Sequence, residues 1–130
     1  MVSKSLIQPE LRRVLAPPFA WIDRHFLFDG FLAHLSQGEN LLYFFLTLAA
    51  DRDGLSFYRY DKICQLLQLS VDDYIWARDG LLQKKLIAFD GQQFQLLRLP
   101  HRQSKFIKQP DRINEVKSLA EIFSVLAEQK

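Results

Sequence analysis

Three histidines, one cysteine and fifteen acidic side chains are the raw material for catalysis or metal binding in this chain of 130 residues. Their spacing supports neither. His25, His34 and His101 are scattered, and none makes the i, i+4 pairing that sets two metal ligands on one helical face. The run Asp51-Arg52-Asp53-Gly54 copies the middle of a calcium loop, but the frame then puts Ala49 at the first ligand position and Tyr60 at the twelfth. It reads instead as the turn that ends a helix. The five glycines include no phosphate-cradling loop, and no nucleophile motif joins a serine or the cysteine to a histidine. Cys64 falls in a helical stretch among apolar neighbours and reads as a small buried hydrophobe. The expectation is a protein with no catalytic residues, no metal and no cofactor.

What the spacing does offer is a row of cations. Arg98, Arg102, Lys105, Lys108 and Arg112 recur at intervals of 4, 3, 3 and 4, with Asp111 the one acid in that span. If the part between Pro100 and Pro110 is helical, Arg102, Lys105 and Lys108 lie near one side and suit phosphates, giving sequence-independent, salt-sensitive contacts. The bland alternative is a solvated linker, partly docked through Phe106 and Ile107. The net charge is only +2, but it is unevenly placed: residues 37–97 sum to −2 and residues 98–130 to +3. Such a balance allows a nucleic-acid partner without demanding one.

Composition narrows the class. The length fits one domain. With 48% hydrophobic and 25% charged residues, the chain is neither disordered, collagen-like nor low-complexity. A single cysteine excludes an internal disulfide and agrees with a cytoplasmic location. The first residues, MVSKSLIQPELRR, lack an apolar signal core, and the apolar run from Leu41 to Ala50 is far short of the roughly 20 residues of a membrane span. No membrane partner is expected.

Elements follow from pattern and punctuation. Pro9–Ala16 reads as a short helix stopped by Pro17–Pro18. An aromatic-rich stretch follows, broken by a turn at Asp29–Gly30; Trp21–Phe28 fits neither the helical nor the strand period, whereas Phe31, Leu32 and Leu35 share a helical face. Ser36 and Glu39 have the spacing of a capping box, and the run after them predicts a helix of three to four turns, ending at Asp51–Gly54. That helix is apolar almost all round, so it must be covered on more than one side, and the N-terminal aromatic stretch is expected on its back. Leu55–Tyr58 reads as a short strand. Asp61 opens a helix to Leu67 with Ile63, Leu66 and Leu67 inward. A break at Gln68–Leu69 leads to Ser70, an N-cap with Asp73 in the box position, and a helix to about Lys85 whose Val71, Tyr74, Ile75, Arg78 and Leu82 share a face. Leu86–Phe89 and Gln93–Leu99 read as strands around Asp90–Gly91. Asp111 caps a last helix to about Glu128; its stripe from Ile113 through Val116, Leu119 and Phe123 to Leu126 can pack on its own domain or pair two copies into a homodimer.

Helix, short strand, helix, tight turn, helix and hairpin is the order of a winged helix-turn-helix domain. The segments LLYFFLTLAADRDGLSFYRYDKICQLLQLS and LLQKKLIAFDGQQFQLLRL resemble that family, especially the winged helices of bacterial and phage replication-initiation proteins and small transcription regulators. The resemblance implies a mainly α fold with a small β wing. Residues 1–36 then form a helical and aromatic extension, 37–99 the winged helix-turn-helix, and 100–130 the basic connector and C-terminal helix, in one compact domain. It also implies a recognition helix after Ser70 that enters the major groove of double-stranded DNA with its N-terminal residues. The residues placed to touch nucleic acid are Tyr74, Arg78 and Gln83 on that helix, Gln92 and Gln93 at the wing tip, and Arg98, Arg102, Lys105 and Lys108 behind it.

One feature departs from the family pattern. The outward face of that helix reads Asp72, Trp76, Asp79 and Gln83, where a base-reading helix presents Arg, Lys, Asn or Gln. Carboxylates there oppose phosphates, although Asp72 and Asp73 suit a helix N-terminus. Two expectations result. One is a non-enzymatic, cytoplasmic DNA-binding protein of replication or transcription control, of the kind carried by mobile elements. The other is a winged helix used as a protein-interaction module through Asp72, Trp76 and Asp79, with Trp76 either covered by the N-terminal segment or bare.

Overall fold

The computed structural model of the chain describes residues 4–100. The expected basic connector with Arg102, Lys105 and Lys108, the helix Asp111–Glu128 and the two-fold pairing through it lie outside the described residues. Among the described residues, one 3₁₀ turn (Pro9–Leu11) precedes five α-helices: α1 (His25–Phe28), α2 (Phe31–His34), α3 (Gln37–Ala49), α4 (Tyr60–Leu67) and α5 (Val71–Gln83). Three short strands, β1 (Leu55–Ser56), β2 (Ile87–Phe89) and β3 (Phe94–Leu96), form one antiparallel sheet in the order β1-β3-β2. The fold is therefore a helical core with a small sheet at one side.

Local chemistry explains where the long helices begin. Ser36 Oγ accepts from the Glu39 N–H at 3.1 Å, and Glu39 Oε1 accepts from the Ser36 N–H at 2.8 Å, so the expected capping box starts α3. Such a cap contributes about 0.5–2 kcal/mol. Gln68 takes the left-handed conformation (φ 57°) and ends α4, while the Leu69 N–H reaches Cys64 O at 3.0 Å. Ser70 Oγ then accepts from the Asp73 N–H at 3.0 Å and starts α5. Two helices are thereby joined by a connection of three residues, too short for anything but a sharp change of direction.

The hairpin is also dictated locally. Asp90 Oδ1 accepts from the N–H groups of both Gln92 and Gln93, and Gly91 supplies φ 99°, a conformation open to glycine. These backbone bonds hold the Asp90 carboxyl below the usual carboxylate range. Phe89 and Phe94 face each other in register, with ring centroids 4.2 Å apart. Strand β1 adds to the outer edge of β3 through Leu55↔Gln95 and Ser56↔Phe94.

The core joins all of these parts. Leu42 and Leu46 of α3, Ile63 of α4, Tyr74, Ala77 and Leu81 of α5, and Leu86, Ile87 and Phe94 of the hairpin pack with Phe26, Phe31 and Leu35. Helices α3 and α5 meet where Gly80 has no side chain. A Cβ there would fall on Glu39 Oε2, the oxygen that accepts from Lys84 Nζ at 2.8 Å. Glu39, 7% exposed, thus caps α3 with one carboxylate oxygen and ties α5 with the other.

Several expectations are corrected. Pro9–Ala16 is not a helix: only Pro9–Leu11 turns, and Leu11, Val14 and Leu15 face water, so nothing rewards further winding. Trp21–Phe28, left open by its pattern, becomes helical only from His25. The aromatic extension covers α3 in part. Phe26 stacks on Tyr43 at 4.5 Å, but Phe19, Trp21 and the α3 residues Leu41, Phe44 and Leu48 are exposed among the described residues. Leu66 points outward rather than inward, and Leu32 does not share the burial of Phe31 and Leu35. The strands are shorter than expected, because β1 ends at Ser56 and β3 spans only Phe94–Leu96. The face that α5 buries is Tyr74, Ala77 and Leu81, so Val71, Ile75 and Arg78 lie to its side. The three- and four-residue spacing allowed either face, and the small Ala77 marks where α3 comes close.

Candidate nucleic-acid interface

The first half of α5, the loop between β1 and α4, and the β2–β3 turn enclose an open groove of about 560 Å³. The loop contributes Phe57, Tyr58 and Arg59, and α4 contributes its first residue, Tyr60. Helix α5 contributes Val71, Tyr74, Ile75 and Arg78, and the hairpin contributes Phe89, Gly91 and Gln92. Two arginines and no carboxylate line it. Each side chain has a structural reason to be there. The strand β1 stops at Ser56, so Phe57–Arg59 leave the sheet and cross toward α5. Tyr58 stands edge-on to Phe45 at 5.1 Å, which anchors the loop on α3. The Arg59 guanidinium lies 5.9 Å from the Tyr60 ring centre.

Arg78 joins the helix to the hairpin. Its guanidinium is 5.7 Å from the ring centres of both Tyr74 and Phe89, a cation–π arrangement, and it donates two bonds of 3.1 Å to Asp79 Oδ1. Part of its charge is therefore already compensated. Tyr74 is 2% exposed, and its phenol is pushed up chiefly by burial. It is a core residue at the groove floor, which corrects the expectation that it reaches a ligand as a surface side chain.

The other candidate residues divide between places. Gln92 is exposed at the turn tip and lines the groove. Gln93 is half-buried, and its side-chain amide donates to Asp90 Oδ2 at 3.3 Å, so it serves the turn. Gln83 is exposed at the C-terminal end of α5. Arg98 is exposed but lines a separate groove with Trp21, Thr47 and Asp51, and the structure does not bring it together with Arg78 and Gln92.

The outward pole of α5 is a different surface. Asp72, Trp76, Asp79 and Gln83 are all exposed, and Trp76 is bare at 79%. Asp72 and Asp79 stand four residues before it and three after it, on the same helical face. The N-terminal segment does not cover it.

No group of three or more potential metal ligands occurs among the described residues. Asp51 Oδ1 accepts from the N–H groups of Asp53 and Leu55, the turn expected after α3. Reasoning from sequence missed Phe57, Arg59, Tyr60, Ile75 and Phe89 as groove residues. The run Phe57-Tyr58-Arg59-Tyr60, aromatics interleaved with a cation, was the available signal. No helix among the described residues is long and apolar enough to cross a membrane. Comparison with protein-family models, with curated proteins and with solved structures gives no match to this chain.

Proposed function

We propose that the chain is a non-enzymatic, cytoplasmic DNA-binding protein built on a winged helix-turn-helix and acting in replication or transcription control. The observation that carries the reading is the groove beside α5, whose lining holds Arg59 and Arg78, exposed aromatic rings and no acid. Its position supports the reading too. The order α3-β1-α4-α5-β2-β3, with β1 paired to β3, is the order in which a winged helix places a recognition helix next to its wing. The basic connector beyond Pro100, with Arg102, Lys105 and Lys108, adds phosphate contacts, and pairing through the segment from Asp111 to Glu128 makes a homodimer.

Fluorescence anisotropy with a labelled duplex of random sequence tests this. Binding is expected at low salt and falls steeply as salt rises. Each phosphate contact removed, by Arg59→Gln or by neutralising Arg102, Lys105 and Lys108, lowers the slope of log K against log salt by about 0.7–0.9. Absence of binding to any DNA at low salt overturns the reading.

A second reading has its own observation, the bare Trp76 between Asp72 and Asp79. Tryptophan is enriched at the centres of protein interfaces, and carboxylates beside it repel DNA. In this reading the outer pole of α5 docks a protein partner with a basic rim. Trp76→Ala then leaves the melting temperature unchanged and abolishes capture of that partner by the immobilised protein. An unchanged set of captured partners counts against it.

A further inference from the structure

We infer that the groove between α5 and the β2–β3 turn takes unpaired nucleotides, with bases stacked on its aromatic rim, so that single-stranded DNA is preferred to duplex. The inference rests on the DNA-binding reading and sharpens it. The first argument is what the rim presents. Phe57 is 63% exposed, and Tyr58 and Tyr60 are also exposed, three ring-bearing residues within four successive positions where the loop enters α4. Tyr58 rests edge-on against Phe45 and Tyr60 has the Arg59 guanidinium beside it, but the three side chains keep much of their apolar surface in water, and stacking on a base, every one of which has a planar face, would bury it. The volume, about 560 Å³, lies in the range of roughly 300–1,000 Å³ that holds compact organic ligands.

The second argument is charge. Arg59 and Arg78 bring two guanidinium groups to the groove; each has a carboxylate beside it, Asp61 at 3.7 Å and Asp79 at 3.1 Å, but both pairs are partly solvent-screened, and a guanidinium plane can still stack on a base and donate to a phosphate. Gln92 at the rim offers a donor and an acceptor to base edges.

The third argument is exclusion. A duplex that received α5 in its major groove, about 12 Å wide, would bring Asp72, Asp73 and Asp79 between two phosphate backbones. All three are exposed, and Asp79 alone has an arginine beside it. The turn that would follow the backbone as a wing, Asp90 to Gln93, carries no cation and one carboxylate. A single strand lying in the groove stays clear of Asp72 and Asp73, meets Asp79 only where Arg78 already pairs with it, and needs no cation at the turn.

The test is anisotropy with labelled oligothymidine against a duplex of equal length, using the full chain at several salt concentrations. Oligothymidine is expected to bind tighter than duplex. Tyr60→Leu and Phe57→Leu, which keep apolar volume but remove the ring, are expected to weaken oligothymidine binding by about 5- to 150-fold each, as loss of one stacked base does. Tyr60→Phe is expected to restore it. Circular dichroism melts of each variant separate lost stacking from lost folding, and an Arg59→Gln variant reports on the phosphates independently of the rings. If duplex binds as well as oligothymidine, or if the leucine variants that fold bind oligothymidine like the parent, this inference is overturned while the DNA-binding reading stands. If neither nucleic acid binds, both are overturned.

Discussion

Replacing Gly80 with alanine tests whether α3 and α5 are locked by Glu39 or merely adjacent. In an exposed helix the change would stabilise by about 1 kcal/mol, because alanine is the better helix former. Here the new methyl falls on Glu39 Oε2 and lies 2.9 Å from its Cδ. A flexible carboxylate can step aside cheaply on an open surface, but Glu39 is buried and bonded through both oxygens, to the Ser36 N–H and to Lys84 Nζ. Moving it strains or breaks the Ser36 N–H bond to Oε1, about 0.5–1.5 kcal/mol, while the Ser36 Oγ cap on the Glu39 N–H remains. It also loses an ion pair whose lysine side chain is a third exposed, worth under about 1 kcal/mol after screening. A buried carboxylate left short of partners costs a further ~1–3 kcal/mol. The propensity gain offsets only part of this, so Gly80→Ala is expected to destabilise by about 1–3 kcal/mol, a fall in Tm on the order of 3–15 °C. The assay is urea unfolding followed by circular dichroism, with the same change made in a Glu39→Ala background. There the obstruction is gone, and alanine at position 80 is expected to stabilise by up to about 1 kcal/mol. A single variant as stable as the parent, or equal effects in the two backgrounds, refutes the lock. The groove depends on the same contact, because the α3–α5 crossing sets where α5 stands relative to the loop and hairpin.

Further outcomes can be measured alongside it. Phe94, 1% exposed and stacked on Phe89, joins the sheet to the helices; Phe94→Ala is expected to cost ~3–5 kcal/mol in chemical denaturation. His34 is held below its ordinary 6.5, first by burial and then by the Lys84 ammonium, with Glu39 acting the other way. The unfolded chain therefore takes up a proton near pH 6.5 that the folded chain does not. The His34 contribution is full above that pH and declines as pH falls toward the folded value. Unfolding midpoints measured above and below pH 6.5 should fall on acidification, and less so in His34→Gln; an equal fall in both proteins contradicts the assignment.

Local signals in this chain were legible because they act over a few residues. Ser36 with Glu39, Ser70 with the Asp73 N–H, and Asp90–Gly91 each close hydrogen bonds within three positions, so the starts of α3 and α5 and the hairpin turn are written in the sequence itself. The helix–strand–helix–helix–hairpin order followed from them, as did the outward direction of Asp72, Trp76, Asp79 and Gln83. What spacing could not decide was which of two overlapping stripes α5 buries. Tyr74, Ile75 and Arg78 fit one face in the sequence, yet packing chose Tyr74, Ala77 and Leu81, because α3 needs small side chains where it crosses.

Tertiary structure alone decided the groove. Phe57–Tyr60 and Gln92 stand more than thirty positions apart with Arg78 between them, and only the pairing of β1 with β3 folds the loop and the hairpin tip against the same side of α5. The exposure of Trp76 was decided in the same way. A ring at that position is satisfied equally by a covering segment or by a partner, and the choice depends on where the N-terminal stretch goes. That stretch stacks Phe26 on Tyr43 of α3 and Phe31 on Phe26, and leaves the outer pole of α5 open, since contacts between distant segments are set by the shape of the packed core rather than by neighbouring residues.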